Sequence, residues 1–190
     1  MKTNIFKPGQ IIEEFAVEKD SRIMNVIFRT RKTSDYKDAN KFINKLVKEK
    51  AYLIVITKQS LKQTKDWTIS LTKEMKKRNT IPIVVMVNGS YKGSAEINKK
   101  RHGFSHVADI GIALDSSIRS SGIGTRLMNT LMKLAKENFK TEMVTLECLN
   151  GNRAISFYKR LGFKKYDILP KARKRGKTYD DGIFLYKFLK

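Results

Sequence analysis

The stretch Ile112-Ala113-Leu114-Asp115-Ser116-Ser117-Ile118-Arg119-Ser120-Ser121-Gly122-Ile123-Gly124-Thr125-Arg126-Leu127-Met128 decides how this chain is read. An alternating run ends at Leu114, a short polar loop carries Arg119, and Gly122-Ile123-Gly124-Thr125 opens a segment with Leu127, Leu131, Leu134 and Ala135 at i, i+4, i+7 and i+8. That order predicts strand, turn and helix. The first amides of a helix have no intrahelical acceptor and sit at the positive end of its dipole, and glycines let an anion approach the backbone. Arg119 adds a charged fork for the same oxygens. A phosphate-binding P-loop would need a Lys after Gly124, and the dinucleotide fingerprint a third glycine near Leu127; both are absent. A GxG alone also occurs in tight strand-to-helix turns with no ligand. Here the preceding strand and the arginine three residues before Gly122 favour an anion cradle.

On the N-terminal side, His106 to Leu114 reads as a strand, with Ala108, Ile110, Ile112 and Leu114 on one face and Val107, Asp109, Gly111 and Ala113 on the other. Ile81 to Val87 and Tyr91 to Ile97 flank Asn88-Gly89, a hairpin signal. Thr64 to Arg78 reads as a helix with Trp67, Ile69, Leu71 and Met75 inward, and Ala51 to Thr57 as a short extended run. Tyr36 to Lys48 places Ala39, Phe42, Ile43 and Leu46 at helical spacing behind the capping oxygens of Ser34-Asp35, and Ile23 to Arg29 reads as a strand. On the C-terminal side come a helix to Asn138, a strand Met143 to Leu149, a helix Arg153 to Leu161, and strands Phe163 to Tyr166 and Ile183 to Leu189. Antiparallel runs mixed with βαβ-like units imply an α+β sheet (mixed α/β) with helices on both faces. No repeat or Pro/Gly/Ser-rich linker divides residues 1–190, so one domain is expected, with 1–20 as an N-terminal extension.

The chain has 190 residues, 41% of them hydrophobic, enough for a core and against wholesale disorder. Forty Lys+Arg against eighteen Asp+Glu give +22, a field that favours polyanions: nucleic acid, an acidic membrane surface or a phosphate-rich cofactor. The single cysteine, Cys148, excludes an internal disulfide and fits a reducing cytoplasm. Met1 to Pro8 lacks the apolar stretch of a signal peptide, and the longest apolar runs fall short of the roughly 20 residues that span a bilayer. Two histidines and one cysteine at no ligand spacing argue against a metal site.

Arg119-x-x-Gly122-x-Gly124 matches the acetyl-CoA signature [QR]-x-x-G-x-[GA]. Downstream, Leu146-Glu-Cys-Leu-Asn-Gly-Asn-Arg-Ala-Ile-Ser-Phe-Tyr158-Lys-Arg-Leu-Gly-Phe163 is similar to "LEV…N.rAi.fYeklGF", and Tyr179-Asp-Asp-Gly-Ile-Phe-Leu to the closing strand. On these motifs the chain resembles the GNAT N-acetyltransferase superfamily from about Ile27 to Leu189. The resemblance implies a central, mostly antiparallel sheet splayed between two parallel strands, Val107–Leu114 and Met143–Leu149, with acetyl-CoA in the opening. Backbone groups of Ile112, Ala113 and Leu114 would pair with the pantetheine arm. Arg119, Ser120, Ser121, Gly122, Ile123, Gly124 and Thr125 would wrap the diphosphate. The asparagine that meets the pantetheine maps to Asn152 when counted from Leu146 and to Gly151 when counted back from Tyr158, so Asn152 comes first and Asn150 second.

Tyr158 would be the general acid that protonates the departing thiolate, and would also touch the cofactor; a packed aromatic beside Phe157 is the other reading. The general base would be Asp109 or Glu147, with His106 a further option. Cys148, on the face opposite Glu147, reads as core. The implied activity is direct, acetyl-CoA-dependent N-acetylation of a primary amine: a protein N-terminus or lysine, or a small-molecule amine. The alternative is a catalytically silent protein of this fold that binds nucleic acid or the ribosome through its basic surface. Lys159, Arg160, Lys164, Lys165, Lys171, Arg173, Lys174, Arg175 and Lys177 form a basic run over a loop and helix that reads either as a solvated face or, with Lys171–Lys177 near the acceptor mouth, as a field that would favour neutral or acidic acceptors. The expected partners are acetyl-CoA and the amine, possibly on a protein, with weak nucleic-acid or ribosome association through the basic surface and no membrane. The expected location is cytoplasmic and the expected assembly a monomer or homodimer.

Overall fold

The computed structural model describes residues 6–189. Eight strands form one sheet in the order β1-β2-β3-β4-β5-β6-β8-β7. They are β1 (Ile11–Lys19), β2 (Arg22–Thr30), β3 (Thr80–Val87), β4 (Ser90–Lys99), β5 (Val107–Leu114), β6 (Met143–Leu149), β7 (Lys164–Arg175) and β8 (Thr178–Phe188). The helices are α1 (Tyr36–Lys48), α2 (Leu61–Lys76), α3 (Ile123–Phe139) and α4 (Ala154–Arg160). All strand pairs are antiparallel except β5 with β6. The mixed α+β architecture and the splayed parallel pair therefore agree with the expectation. None of the described helices is long and apolar enough to cross a membrane.

The core lies between the sheet and α3. Ile81, Ile83 and Val85 of β3, Ala95 and Ile97 of β4 and Ala108 and Ile110 of β5 meet Ile123, Leu127, Leu131 and Ala135 of α3. This is the match between the two-residue period of strands and the 3.6-residue period of a helix. Helices α1 and α2 pack against β4 and β3. The Asn88-Gly89 turn has both residues at positive φ, 48° and 74°, as a two-residue hairpin of this hand requires.

Four local readings need correction. Residues 11–19, taken as part of an extension, form β1, an edge strand whose Phe15 and Val17 pack on the core; residues 1–5 lie outside the described residues. Its interleaved glutamates blur the hydrophobic alternation, but Glu13 is used, accepting from Arg126 at 2.5 Å and Thr130 at 2.6 Å on α3. Residues 51–57 are irregular rather than extended, and Ile54 is left 84% exposed. In α2 the inward residues are Thr64, Thr68, Thr72 and Met75, not Trp67, Ile69 and Leu71. Thr64 and Thr72 bury their methyls because their hydroxyls bond back to carbonyls of Ser60 and of Thr68 and Ile69. Finally, the strand expected at Phe163 to Tyr166 does not stop there: β7 runs from Lys164 to Arg175, through residues read as a basic loop. Its charge hid the continuation, and so did Pro170, which falls where the pairing with β8 slips between Leu169 and Arg173.

Asp35 does not cap α1. Its carboxylate takes both guanidinium nitrogens of Arg29 at 2.8 Å and the Lys32 amide at 2.7 Å. Burial alone would raise its pKa, but these bonds hold it below the usual carboxylate range.

Candidate active site

Strands β5 and β6 pair only at Val107↔Met143, Ala108↔Val144 and Asp109↔Thr145. Beyond that point they part, each still bonded to its outer neighbour: β5 to β4 as far as Gly93↔Leu114, β6 to β8 as far as Leu149↔Gly182. Their facing edges from Ile110 and Leu146 onward have no strand partner. Strand-edge groups need an acceptor or donor, so the opening suits an extended, amide-bearing arm. Ile112, Ala113 and Leu114 lie on this edge.

At the mouth, Ser120 (φ 60°) and Gly122 (φ 81°) are both left-handed. They curl the chain so that its amides converge ahead of α3. The first amide to close a helical bond here is that of Arg126, donating to the Gly122 carbonyl at 3.1 Å, so those of Ile123, Gly124 and Thr125 point forward without an intrahelical partner. Ser121 is locked by its hydroxyl on the Ile118 carbonyl at 2.7 Å. A Cβ at Gly124 would lie 3.4 Å from Leu114 and 3.6 Å from Phe157, ordinary contacts at the start of α3 beside β5 and α4. Arg119 is exposed, and its guanidinium folds back on the Leu114 carbonyl at 3.2 and 3.3 Å. Converging amides, glycines and an arginine form a donor set that fits a diphosphate.

Two lysines brace this turn. Lys19 of β1 donates to the carbonyls of Ser117 and Arg119 at 3.2 and 2.9 Å. Lys45 of α1 pairs with Asp115 at 2.5 Å, and Asp115 also accepts from the Ser117 amide and hydroxyl. Burial of Asp115 alone would raise its pKa, but these partners outweigh it and bring the carboxyl down to about 2.

On the α3 side of the sheet, Tyr158 is buried beside Phe157 and Phe163, at ring-centre distances of 5.3 and 6.0 Å. Burial, and then the neighbouring Cys148, push its phenol well above the ordinary value, so it stays protonated. Burial and the charge of Glu147 likewise push the Cys148 thiol up to about 11. A neutral, buried thiol is a poor nucleophile.

The opposite face carries the carboxylates. Asp109 accepts a short hydrogen bond from Thr145 and is 3.3 Å from Lys100. Glu147 is exposed and leans toward β8; a Cβ at Gly182 would be 3.0 Å from its Oε1. Glu96, not singled out in the sequence, lies opposite Gly111 across the β4–β5 register. Its position follows only from counting forward from Asn88-Gly89 and back from Leu114 along the paired strands. These three carboxylates lie on the face between β4 and β6, with Asp109 paired to Lys100. His106 is exposed, and its carbonyl takes the Glu142 and Met143 amides where the parallel pair begins, a structural use. Asn152 spends its side-chain oxygen on the Ala154 amide at the start of α4, and Asn150 spends its own on Gly151. Both keep amide donors.

The rim is formed by residues 51–57 and the β7–β8 hairpin. Arg173, buried, bonds the Leu53 carbonyl and pairs with Asp180 at 2.6 Å, while Tyr52 lies over Gly151. Of the basic run, Lys164, Lys165, Lys171 and Lys174 are exposed along β7.

A sequence profile of the Acetyltransferase (GNAT) family matches residues 49–163. The L-amino acid N-acetyltransferase AaaT of Escherichia coli is 28% identical over 105 residues, 54% of this chain and 65% of that protein. The chain thus aligns with just under two thirds of the length of this relative. An N-acetyltransferase from Staphylococcus aureus superposes with TM-score 0.76 at 20% identity, covering 87% of this chain and 99% of that one. The acetyltransferase yncA from Salmonella typhimurium, solved with its cofactor acetyl-CoA, gives 0.72 at 17% identity, with 87% and 94% covered. The parted β5–β6 pair, the glycine turn that follows it and the family match over residues 49–163 lead to one assignment: the chain belongs to the GNAT acetyltransferase family.

Proposed function

We propose that the chain is an acetyl-CoA-dependent N-acetyltransferase that moves acetyl directly to a primary amine of a protein N-terminus, a lysine or a small molecule. Residues 1–190 then act as one domain in which β1 braces the cofactor turn. The observation that carries this reading is the coincidence, at one opening, of unpartnered strand edges (Ile110–Leu114 facing Leu146–Leu149), forward-pointing amides at Ile123–Thr125 and a protonated phenol at Tyr158.

In this reading the turn from Arg119 to Thr125 binds the diphosphate, and the β5 edge aligns the pantetheine arm. Bound acetyl-CoA supplies the thioester. Tyr158 donates its hydroxyl proton toward the sulfur as negative charge builds there, which stabilises the departing thiolate. The raised pKa of Cys148, which keeps the thiol protonated, supports transfer without an acyl-enzyme. Asn152, with Asn150 second, offers a side-chain amide to the arm.

The test is thiol release from acetyl-CoA with a panel of N-terminal peptides, lysine peptides, free L-amino acids and polyamines. Saturable release with at least one amine is expected. Tight acetyl-CoA binding with no release for any amine in the panel would refute the enzymatic reading and favour a binding role.

A further inference from the structure

Resting on that reading, we propose that Glu96 of β4, rather than Asp109 or Glu147, takes the proton from the acceptor ammonium. Three observations, taken together, single out Glu96. Glu96 faces Gly111 across the register, and a Cβ at that glycine would lie 3.7 Å from its Cγ and 3.9 Å from its Oε1. Gly111 is exposed and falls just past Asp109, where β5 parts from β6. The Glu96 carboxylate therefore stands beside the one residue of β5 that leaves the gap without a side chain on this face. Second, no ion pair or hydrogen bond engages Glu96 among the described residues, although the chain carries forty Lys and Arg. A half-buried carboxylate left unpaired in so positive a protein is available to a cation from outside. Third, the rivals are occupied or turned away. Asp109 is held by Thr145 and Lys100 at the closed end of the opening, and Glu147 leans over Gly182.

The placement also suits the chemistry. Tyr158 belongs to the cluster on the α3 side, while Glu96 lies on the other face. Acid and base thus approach a thioester in the gap from opposite sides. The acceptor enters as R–NH3+, and Glu96 accepts one proton to give R–NH2. The nitrogen lone pair forms the C–N bond at the thioester carbon and the C–S bond breaks. The leaving sulfur takes the Tyr158 proton, and the nitrogen gives up its second proton to return Tyr158 to the phenol. Glu96 then loses its proton to solvent. Overall, R–NH3+ and acetyl-CoA give the amide, free thiol and one proton. The class of acceptor this selects is an amine that is protonated when it binds.

The experiment compares Glu96→Gln, Asp109→Asn and Glu147→Gln with the parent chain, using acetyl-CoA and two acceptors of different basicity. These are trialanine amide, with an α-amino group near pKa ~7.7–8.0, and N-acetyl-lysine amide, with an ε-amino group near ~10.4. Glu96→Gln is expected to lower kcat at neutral pH by about 10²-fold or more, with the larger loss for the lysine compound. Its rate with trialanine amide should recover as pH rises and the free amine accumulates. On the face that carries Glu96, Ser94 and Asn98 flank it on its own strand, and Asp109, paired with Lys100, lies opposite Asn98. The Asp109→Asn and Glu147→Gln profiles test the rival bases: recovery at high pH confined to Glu96→Gln supports the proposal, and the same recovery in either rival overturns it. A rise in KM alone, without recovery at high pH, would reduce Glu96 to a binding charge and overturn its role as base. So would an unchanged Glu96→Gln beside an inactive Asp109→Asn. Thermal unfolding and acetyl-CoA calorimetry of Glu96→Gln should match the parent. If the parent itself released no thiol with either amine, the transferase reading would fall with the proposal, an outcome distinct from failure of Glu96 alone.

Discussion

The two sides of the parted strands are built differently. On the side read as the cofactor's, the turn and its flanks come from one continuous stretch, residues 112–125, which Lys19 and Lys45 brace from elsewhere. On the acceptor side, β4 gives Glu96, β5 gives Asp109, β6 gives Glu147, and Leu53 and Arg173 meet although 120 residues apart in sequence. A site written in consecutive residues carries its geometry in local backbone rules. A site assembled by register does not exist until the sheet is paired.

This contrast is broken most severely if the cofactor side tolerates a charge. Gly124→Glu should abolish acetyl-CoA binding in calorimetry, because a carboxylate would enter the ring of forward-pointing amides. The backbone itself should survive, since Gly124 has helical φ and its Cβ would meet only ordinary contacts at 3.4 Å and beyond. Unchanged affinity would move the diphosphate away from this turn. Next in size, Tyr158→Phe should lower kcat by about 10²–10⁴ while leaving acetyl-CoA affinity nearly intact. The variant loses only a hydroxyl, and the rings of Phe157 and Phe163 still hold the side chain. An undiminished kcat would return Tyr158 to a packing role.

The same contrast governs what could be read from the chain alone. The strand to Leu114, the turn and α3 were legible because each obeys a local rule: alternation, left-handed glycine, helical spacing. The Asn88-Gly89 hairpin was legible for the same reason. β1 and most of β7 were not. Both are outer strands whose exposed charges dilute the two-residue period, and β7 also contains Pro170. The inner face of α2 was missed because three of its four buried residues are threonines, two of which, Thr64 and Thr72, return their hydroxyls to backbone carbonyls. Asp109 was visible through a motif, but its engagement by Thr145 depends on the parallel register, and the role open to Glu96 depends on the antiparallel one. Neither register is a property of either strand alone.

The acceptor side can be perturbed without touching the cofactor. Arg173→Met keeps the stem but removes the fork that ties Asp180 to the Leu53 carbonyl. The loss should cost about 1–3 kcal/mol of stability by denaturant unfolding, because Asp180 loses its charged partner. It should raise the acceptor KM severalfold as residues 51–57 loosen, with the acetyl-CoA dissociation constant unmoved. A parallel loss of cofactor affinity would show that the two sides are not separable.

The smallest effect expected lies in the brace beneath the cofactor turn, and pH exposes it. In the folded chain Asp115 keeps its charge down to about pH 2, whereas an unfolded aspartate protonates near 3.8. A carboxyl whose folded value is depressed stabilises the fold fully above the unfolded value and loses that contribution as pH falls through the folded one. The stabilisation from Asp115 should therefore be constant at neutral pH, begin to fade below about pH 4 and be gone near pH 2. Replacing Lys45 with Met removes the partner at 2.5 Å, while the Ser117 amide and hydroxyl remain. The variant should then lose stability at neutral pH, and its deficit against the parent should shrink as pH falls from 4 toward 2. Since Asp115 also fixes Ser117 ahead of Arg119, acetyl-CoA should bind the variant a few-fold more weakly at neutral pH. A deficit independent of pH across that window would assign the loss to packing of the Lys45 stem instead of its charge, and would detach α1 from the geometry of the turn.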